Sequence, residues 1–489
     1  MNIFKTLIFA GSCFLLACSV PEKDKNRAED APMNVLFIMA DDLNNDLGFY
    51  GNTEVQTPNL DKLASEGIFF NRAYSQSPIC GPSRVSLLTS LRPETTNVII
   101  NETDFRDYVP DAVTLPQLFK NNGYFSGRVG KIFHYGVPGQ IGTNGLDDSI
   151  SWVERYNPIG VDKFEEDSLI NLTPHMNLGG ALAYHATEET DTAHTDGKVT
   201  QRAIQMLEAH KDEPFFIAVG YFRPHVPFIA PNKYFDLYDT KNIELRKEPP
   251  NDREDIPELA MATTKIPDHG LTPEEQKLAI RGYYACISFV DHQVGLLLET
   301  LEQLGLAENT LVVFMSDHGY NLGEHGMWEK FNLFEESARI PLIFRVPGQK
   351  PETNVTDGIV EMLDIYPTIA ELCGLQAPGY LHGSSFAPLL KNPEKEWREA
   401  AISEVGRWTE RNPLHRDSAN WNSKLMGKSI RTATWRYTEW GEGDLGKELY
   451  DHKNDPREFT NLANQKKFNA TMQQLKENYF EKMPVLPAP

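Results

Sequence analysis

The feature that most constrains this chain is a series of continuous apolar runs of strand length, separated by segments of helical periodicity. Val35 to Ala40, Phe125 to Val129, Phe215 to Gly220, Leu311 to Met315 and Leu342 to Val346 are such runs. A strand that is apolar throughout must be covered on both faces, and that is the condition of a parallel sheet between layers of helix. Helices are predicted from Pro58 to Ala64 with an end near Gly67, from Val199 to Ala209, and from Leu278 to Leu304 before Gly305. The expected fold class is α/β, with a large, mainly parallel sheet sandwiched by helices.

Polar residues collect directly after these runs: Asp41 and Asp42 after the first, Lys131 and His134 after the second, His225 after the third, Asp317 and His318 after the fourth. Ligands of open parallel sheets bind outside the carboxyl ends of the strands, so these residues can converge despite their separation in sequence. Near residue 398 the texture changes. Ser429 to Thr438 is β-rich and alternating, Glu448 to Asp451 starts another extended piece, and a helix is expected from about Lys467 to Lys482. The expected division is a main domain over 34–397 and a smaller C-terminal subdomain with an antiparallel sheet over 398–489. Two long stretches of weak pattern, 135–195 and 235–275, are expected to carry specificity loops.

The N-terminus begins Met-Asn-Ile-Phe-Lys and continues with an apolar run from Leu7 to Leu16. That run is too short to span a bilayer and has the length of a signal-peptide core. Leu15-Leu16-Ala17-Cys18 resembles the lipobox of bacterial lipoproteins, which predicts a leader over 1–17, a lipid on Cys18 and a solvated tether over 18–33. The alternative is a plain secretory leader with an incidental cysteine. On the lipobox reading the protein is exported to the periplasm or the outer surface and touches membrane only through its anchor.

Loss of Cys13 with the leader and acylation of Cys18 leave Cys80, Cys286 and Cys373, which is no disulfide framework. Cys286 and Cys373 fall in apolar helical patterns and read as small buried hydrophobes. Cys80 differs, because it lies among turn formers in Ser77-Pro78-Ile79-Cys80-Gly81-Pro82-Ser83-Arg84. With Val85, Leu87, Leu88 and Leu91 forming a helical face, Pro82 is expected at the first helical position and Cys80 at the helix N-terminus. There the free amides favour an anion, to which Arg84 can offer a forked donor. By itself the segment fits either a redox-inert turn or a thiolate site.

Asp41-Asp42 is an adjacent carboxylate pair after a buried strand, a costly arrangement unless a cation neutralises it. An exposed turn with an N-cap role is the plain alternative. The arrival of Asp317-His318-Gly319 at another strand end favours a metal. Three carboxylates and one ring nitrogen suit a hard cation, Ca²⁺ or Mg²⁺, with Mn²⁺ or Zn²⁺ left open by the histidine. The formal net charge of −22 excludes nucleic acid as a partner class. An anionic substrate would then need a local cluster of cations, since screening confines the general repulsion to about 8–10 Å.

Cys-Gly-Pro-Ser-Arg at 80–84 resembles the signature of the type I, formylglycine-dependent sulfatases. The likeness extends to Asn34-Val35-Leu36, Asp41-Asp42-Leu43, Thr57 to Asp61, Gly130 to His134, Gly323 to Lys330 and Arg339 to Leu342. Two residues between Lys131 and His134, together with Met426 to Thr432, resemble the iduronate-2-sulfatase branch.

The resemblance implies an alkaline-phosphatase-like fold and conversion of Cys80 to formylglycine by a maturation enzyme. It implies one Ca²⁺ held by Asp41, Asp42, Asp317, His318 and an oxygen of modified Cys80. Arg84 would stabilise the hydrated aldehyde, His134 would support the geminal diol, Lys131 and His225 would hold the sulfate, and Lys330 would bind sulfate and ester oxygens. One hydroxyl of the diol would attack sulfur, His225 (or else Lys330) would protonate the leaving alcohol, and the second hydroxyl would expel sulfate.

The expected substrate is a sulfated carbohydrate, such as a 2-O-sulfated uronic acid or an algal sulfated sugar. Two other readings stand beside it: a phosphonate monoester or phosphodiester hydrolase of the same superfamily, and a non-catalytic glycan-binding lipoprotein. His175, His185, His194 and His210 read as surface or loop residues. His325 reads as an orienting or pocket residue. Trp328, Trp408 and Trp421 could stack on sugars or pack internally.

Overall fold

The computed structural model describes residues 32–407 and 425–482. The leader, Cys18, the tether as far as residue 31, Trp408 and Trp421 lie outside the described residues. Among the described residues, eight strands make the central sheet: β1 (Asn34–Asp41), β2 (Ile68–Phe70), β3 (Phe125–Gly130), β4 (Glu154–Tyr156), β5 (Phe215–Pro224), β6 (Thr310–Ser316), β7 (Leu342–Arg345) and β8 (Val355–Thr356). Their spatial order is β8-β2-β7-β6-β1-β5-β3-β4. The run from β6 through β1, β5 and β3 to β4 is parallel throughout, so these strands end at the same edge of the sheet.

β7 departs from expectation, because it is antiparallel to both β6 and β2. It is as buried as its parallel neighbours, so its composition carries no sign of direction. The cause is the connection: between Ser316 and Leu342 the chain makes a short hairpin with a 3₁₀ turn at its tip and then the four-residue helix Glu335–Ala338, with no long crossover helix. A parallel partner would need a crossover with its helix.

β1 shows how the sheet divides two cores. Its alternating side chains send Leu36, Ile38 and Ala40 to one face and Val35, Phe37 and Met39 to the other. The first face is covered by α1 (Pro58–Glu66), α4 (Thr195–Ala209) and α5 (Pro273–Gln303); the second by α2 (Cys80–Thr89), α3 (Leu115–Asn121) and α6 (Ile365–Leu372). α5 begins before the predicted Leu278, since Thr272 and Glu275 form a reciprocal capping box and Pro273 occupies the first turn. Apolar periodicity starts only after that polar turn.

The C-terminal strands β9 (Ala400–Gly406), β10 (Met426–Thr432), β11 (Trp435–Trp440) and β12 (Gly446–Asp451) form an antiparallel sheet. The helix expected over Lys467 to Lys482 is broken into a 3₁₀ turn, an α-helix over Asn469–Leu475 and a π-turn over Lys476–Phe480. This sheet is pinned to the main body by a buried ion cluster. Glu335 accepts from Arg431 Nε at 2.9 Å and from the Tyr74 hydroxyl at 2.9 Å, and it also pairs with Arg436.

Glu335→Ala would leave Arg431 and Arg436 with one acid fewer in a buried setting, where loss of one partner of an ion cluster costs about 3 kcal/mol. Urea unfolding of the variant is expected to show a stability lower by about that amount; a midpoint equal to that of the parent would refute the pinning role.

Candidate active site

The parallel register dictates where the site forms. Ala40 pairs with Ser316, so the residues that follow, Asp41-Asp42 and Asp317-His318, leave neighbouring strands side by side. Lys131 enters through a close pass of backbones. Gly130 has a φ of +79°, and a Cβ there would lie 2.0 Å from the carbonyl oxygen of Gly220, so only glycine lets β3 and β5 approach in this way. The Lys131 amide then donates to the same carbonyl at 2.9 Å.

Asp41, Asp42, Arg84, Lys131, Asp317 and His318 are all 0% exposed, which makes their mutual neutralisation obligatory. Arg84 donates from Nε to Asp317 Oδ2 at 2.8 Å and from Nη2 to Asp41 Oδ1 at 2.8 Å, while Nη1 reaches the carbonyls of Lys131 at 2.6 Å and Ile132 at 3.0 Å. Lys131 Nζ donates to Asp41 Oδ2 at 2.6 Å, and Lys330 Nζ to both oxygens of Asp42 at 2.7 and 2.5 Å. Three carboxylates thus face three cations.

Burial alone would raise the Asp41 carboxyl, but Lys131 and Arg84 overcome it and hold the group well below its usual range. For Lys330 burial acts the other way, and Asp42 more than offsets it, so the ammonium is retained.

Cys80 opens α2, with Ile79 in extended conformation as its N-cap. The helix therefore starts two residues before the expected Pro82, and Cys80 belongs to its first turn. Its Sγ lies 3.2 Å from His318 Nε2 and 3.8 Å from Asp42 Oδ1. Burial pushes the thiol well above its usual pKa despite Lys330 and Lys131, so the sulfur is protonated at neutral pH and a resting thiolate site is disfavoured. Cys286 lies on α5 with its side chain enclosed in the core, Cys373 is only half-buried at the end of α6, and burial lifts both thiols to about 12.

The histidines are oriented by backbone carbonyls. His318 Nδ1 bonds the Gly319 carbonyl at 2.9 Å and His225 Nδ1 that of Val226 at 2.6 Å, leaving each Nε2 lone pair toward the cluster. His225 Nε2 lies 3.8 Å from Asp42 Oδ2. Burial first, and Lys330 second, lower the pKa of His225 well below the usual value. His134 is lowered by burial and then by Lys131, and its Nδ1 is buried with no hydrogen-bond partner among the described residues.

All the sequence-predicted site residues meet here. The ligand atoms of Asp42, Cys80 and His225, and separately those of Cys80, Asp317 and His318, lie within 4.8 Å of one another. Several supporting residues were not foreseen. The Tyr283 hydroxyl donates to the Asp42 carbonyl at 2.7 Å and accepts from Asn44 N at 2.8 Å, fixing a turn in which Asp42 has a φ of 65°. Ser316 Oγ accepts from Leu43 N at 2.9 Å and donates to the His318 carbonyl at 2.8 Å. Tyr283 lies in the apolar stripe of α5, which gives no sign of a polar duty.

One reading changes, and one open alternative is decided. His194 is buried, not on the surface, with Nε2 at 2.7 Å from Thr187 Oγ1. Trp328 is buried and donates to Asp268 Oδ1 at 3.0 Å, so it packs internally.

The sequence model described as Sulfatase matches residues 33–375, and one described as N-sulphoglucosamine sulphohydrolase, C-terminal, matches residues 323–483. A sulfatase of Formosa agariphila is 33% identical over 96% of this chain and 90% of its own length. Iduronate 2-sulfatase of Homo sapiens is 34% identical over 89% of each chain. Among solved structures, phosphonate monoester hydrolase of Agrobacterium radiobacter is similar with a TM-score of 0.76 at 22% identity, covering 92% of this chain and 95% of that one. Identity that low speaks for the fold, which is the alkaline-phosphatase-like fold expected.

His325 proves to be an orienting residue. Its Nδ1 meets Asp252 Oδ2 at 2.9 Å and its amide donates to Glu248 Oε2 at 3.1 Å, which fixes the turn leading to Lys330. Burial alone would lower its pKa, but Asp252 overcomes this and lifts it to about 9. A base raised in the folded state contributes stability that is present below about pH 6.5 and lost as pH rises through about 9. The thermal midpoint is expected to fall across that window, and His325→Gln to flatten the fall. An unchanged slope in the variant would exclude this pair as its source.

Proposed function

This chain belongs to the sulfatase family and is a sulfuric ester hydrolase; from that premise we propose that it removes sulfate from a glycan, with Cys80 oxidised to formylglycine and one Ca²⁺ at Asp41, Asp42, Asp317 and His318. The observation that carries this reading is the seat of Cys80: a fully buried sulfur at a helix start, 3.2 Å from His318 and 3.8 Å from Asp42.

The residues present fit the metal. Three carboxylates and a histidine whose Nε2 lone pair is turned inward form an oxygen-rich donor set with one nitrogen, suited to a hard divalent ion. The Cys80 sulfur stands where the oxygens of a hydrated formylglycine would be. When bound and formed, the ion and the hydrate would supply an activated oxygen nucleophile and a second hydroxyl able to expel sulfate.

The chain's own residues do the rest. Arg84 holds Asp41 and Asp317 in register and stabilises the hydrate. Lys131, Lys330 and His225 present positive charge and a ring nitrogen to the sulfuryl oxygens, where charge spreads as the ester bond breaks. His134 is assigned the hydrate proton at its unpartnered Nδ1. His225 is assigned the leaving oxygen at Nε2. At rest that ring is neutral, and the negative charge of a bound sulfate ester would raise its proton affinity.

The iduronate-2-sulfatase relative favours a 2-O-sulfated uronic acid or a related sugar, with an algal sulfated sugar as the alternative substrate. A formylglycine-generating enzyme would mature the protein. We read 34–397 as the catalytic domain and 398–489 as its C-terminal subdomain. Export as a lipoprotein anchored at Cys18 completes the proposal; among the described residues no helix is long and apolar enough to cross a membrane. The phosphonate hydrolase neighbour shares the fold, so esterase preference is to be measured. Family membership sets aside a purely glycan-binding role.

Sulfate release from defined oligosaccharides, beside turnover of matched phosphate and phosphonate esters, tests the reading. The matured protein is expected to prefer sulfate esters, to lose activity to a chelator and regain it with Ca²⁺, and to be inactive as Cys80→Ala. Full activity of Cys80→Ala, or preference for phosphodiesters, would overturn it.

A further inference from the structure

His225 stands on a turn between β5 and the short strand Phe228–Pro231. Its ring approaches the cluster only at 3.8 Å, from Nε2 to Asp42 Oδ2, so the catalytic groups do not fix its place. A second network holds the turn by its backbone. Arg223, 2% exposed, donates from Nη1 to the His225 carbonyl at 3.1 Å, from Nε to the Ile229 carbonyl at 3.1 Å and from Nη2 to Asp162 Oδ2 at 3.1 Å.

The network is anchored well away from the turn in sequence. Asp162 Oδ1 accepts from Thr195 N at 2.7 Å and from Thr195 Oγ1 at 2.8 Å. Asp196, in the first turn of α4, accepts from the amides of Phe222 and Arg223 at 2.9 Å each. The His225 amide itself donates to the Phe222 carbonyl at 3.1 Å. Both flanks of the turn are therefore tied to the start of α4 and to the 3₁₀ turn Val161–Lys163.

We propose that Arg223 is a positioning residue for His225: a fork that grips the turn at the carbonyls of His225 and Ile229 and is held from behind by Asp162. The inference rests on the assignment of His225 as the group that protonates the leaving oxygen. A planar guanidinium can meet two carbonyls and a carboxylate at once, which a lysine ammonium on a flexible stem cannot do with the same geometry. Without the fork the two carbonyls lose charged donors inside a buried turn. A ring displaced by about 1 Å can lose on the order of 10²-fold in rate.

The test is a double-mutant cycle on matured enzyme with one sulfated oligosaccharide, using Arg223→Met, His225→Gln and the pair. Each single variant is expected to lower kcat on the order of 10²-fold. The pair is expected to be no worse than His225→Gln by more than about twofold, because a residue acting through His225 has nothing left to position. Equal cost of Arg223→Met in both backgrounds would overturn the proposal. So would an unchanged kcat in a folded Arg223→Met.

Arg223→Lys, which keeps a charge for Asp162, covers the case in which Arg223→Met does not fold; its kcat is expected to stay depressed while its melting temperature matches the parent. A crystal structure of the Arg223 variant reads the placement without kinetics: a displaced His225 turn is expected, and an unmoved ring would refute the clamp. If the ring moves while His225→Gln retains full rate, the clamp stands and the proton-donor assignment falls instead.

Discussion

The fork of Arg84 between Asp41 and Asp317 is the interaction on which the site depends. Two carboxylates leave adjacent parallel strands at the same level, with no exposure to water, and would repel each other strongly in a medium of low dielectric. A guanidinium rising from one turn into α2 answers both at once and reaches the Lys131 and Ile132 carbonyls as well. One side chain thereby fixes three strand ends and the helix that carries Cys80. The register of β1 and β6 sets these carboxylates side by side, and without Arg84 their charges would oppose that placement.

That arrangement leaves the sulfur at position 80 ill suited to act as it stands. Burial raises its pKa more than Lys330 and Lys131 lower it, and Asp41 and Asp317 oppose a thiolate further. A neutral, enclosed thiol is a poor nucleophile. An oxygen-bearing replacement, sharing a hard cation with the same carboxylates, would meet an environment already arranged for it.

Much of this was legible in the sequence. Continuous apolar runs gave the parallel sheet, and the polar residues after four of the runs converge because parallel strands place their carboxyl ends together. The short motif around Cys80 identified the family, which no periodicity could. Other features were hidden for physical reasons. The direction of β7 depends on its connection and not on its composition. The two-residue error at the start of α2 arose because Pro82 is compatible with any position in the first turn, where no amide donor is needed. Tyr283, Arg223 and Asp162 act through contacts between segments distant in sequence, and each sits in a local pattern that reads as ordinary core or loop. His194 was misplaced for the same reason: its burial comes from neighbours in space that flanking residues do not reveal.

The electrostatics of the whole chain and of the site point in opposite directions, and both are compatible with an anionic substrate. The chain carries a formal charge of −22, yet Asp41, Asp42 and Asp317 are balanced by Arg84, Lys131 and Lys330. A divalent ion added to that balance would leave the pocket positive at the place where a sulfate ester must sit. Screening confines the repulsion of distant acids to about 8 Å at physiological ionic strength, whereas the buried pairs are screened far less. Capture of the substrate is then decided by the last few ångströms, in the low-dielectric interior where fixed cations act most strongly. Selectivity among sulfate esters must be added by the groups that surround this constant centre, and on the proposed assignment of His225 its turn, gripped by Arg223, is one means by which the fold would hold a proton donor at a defined distance from it.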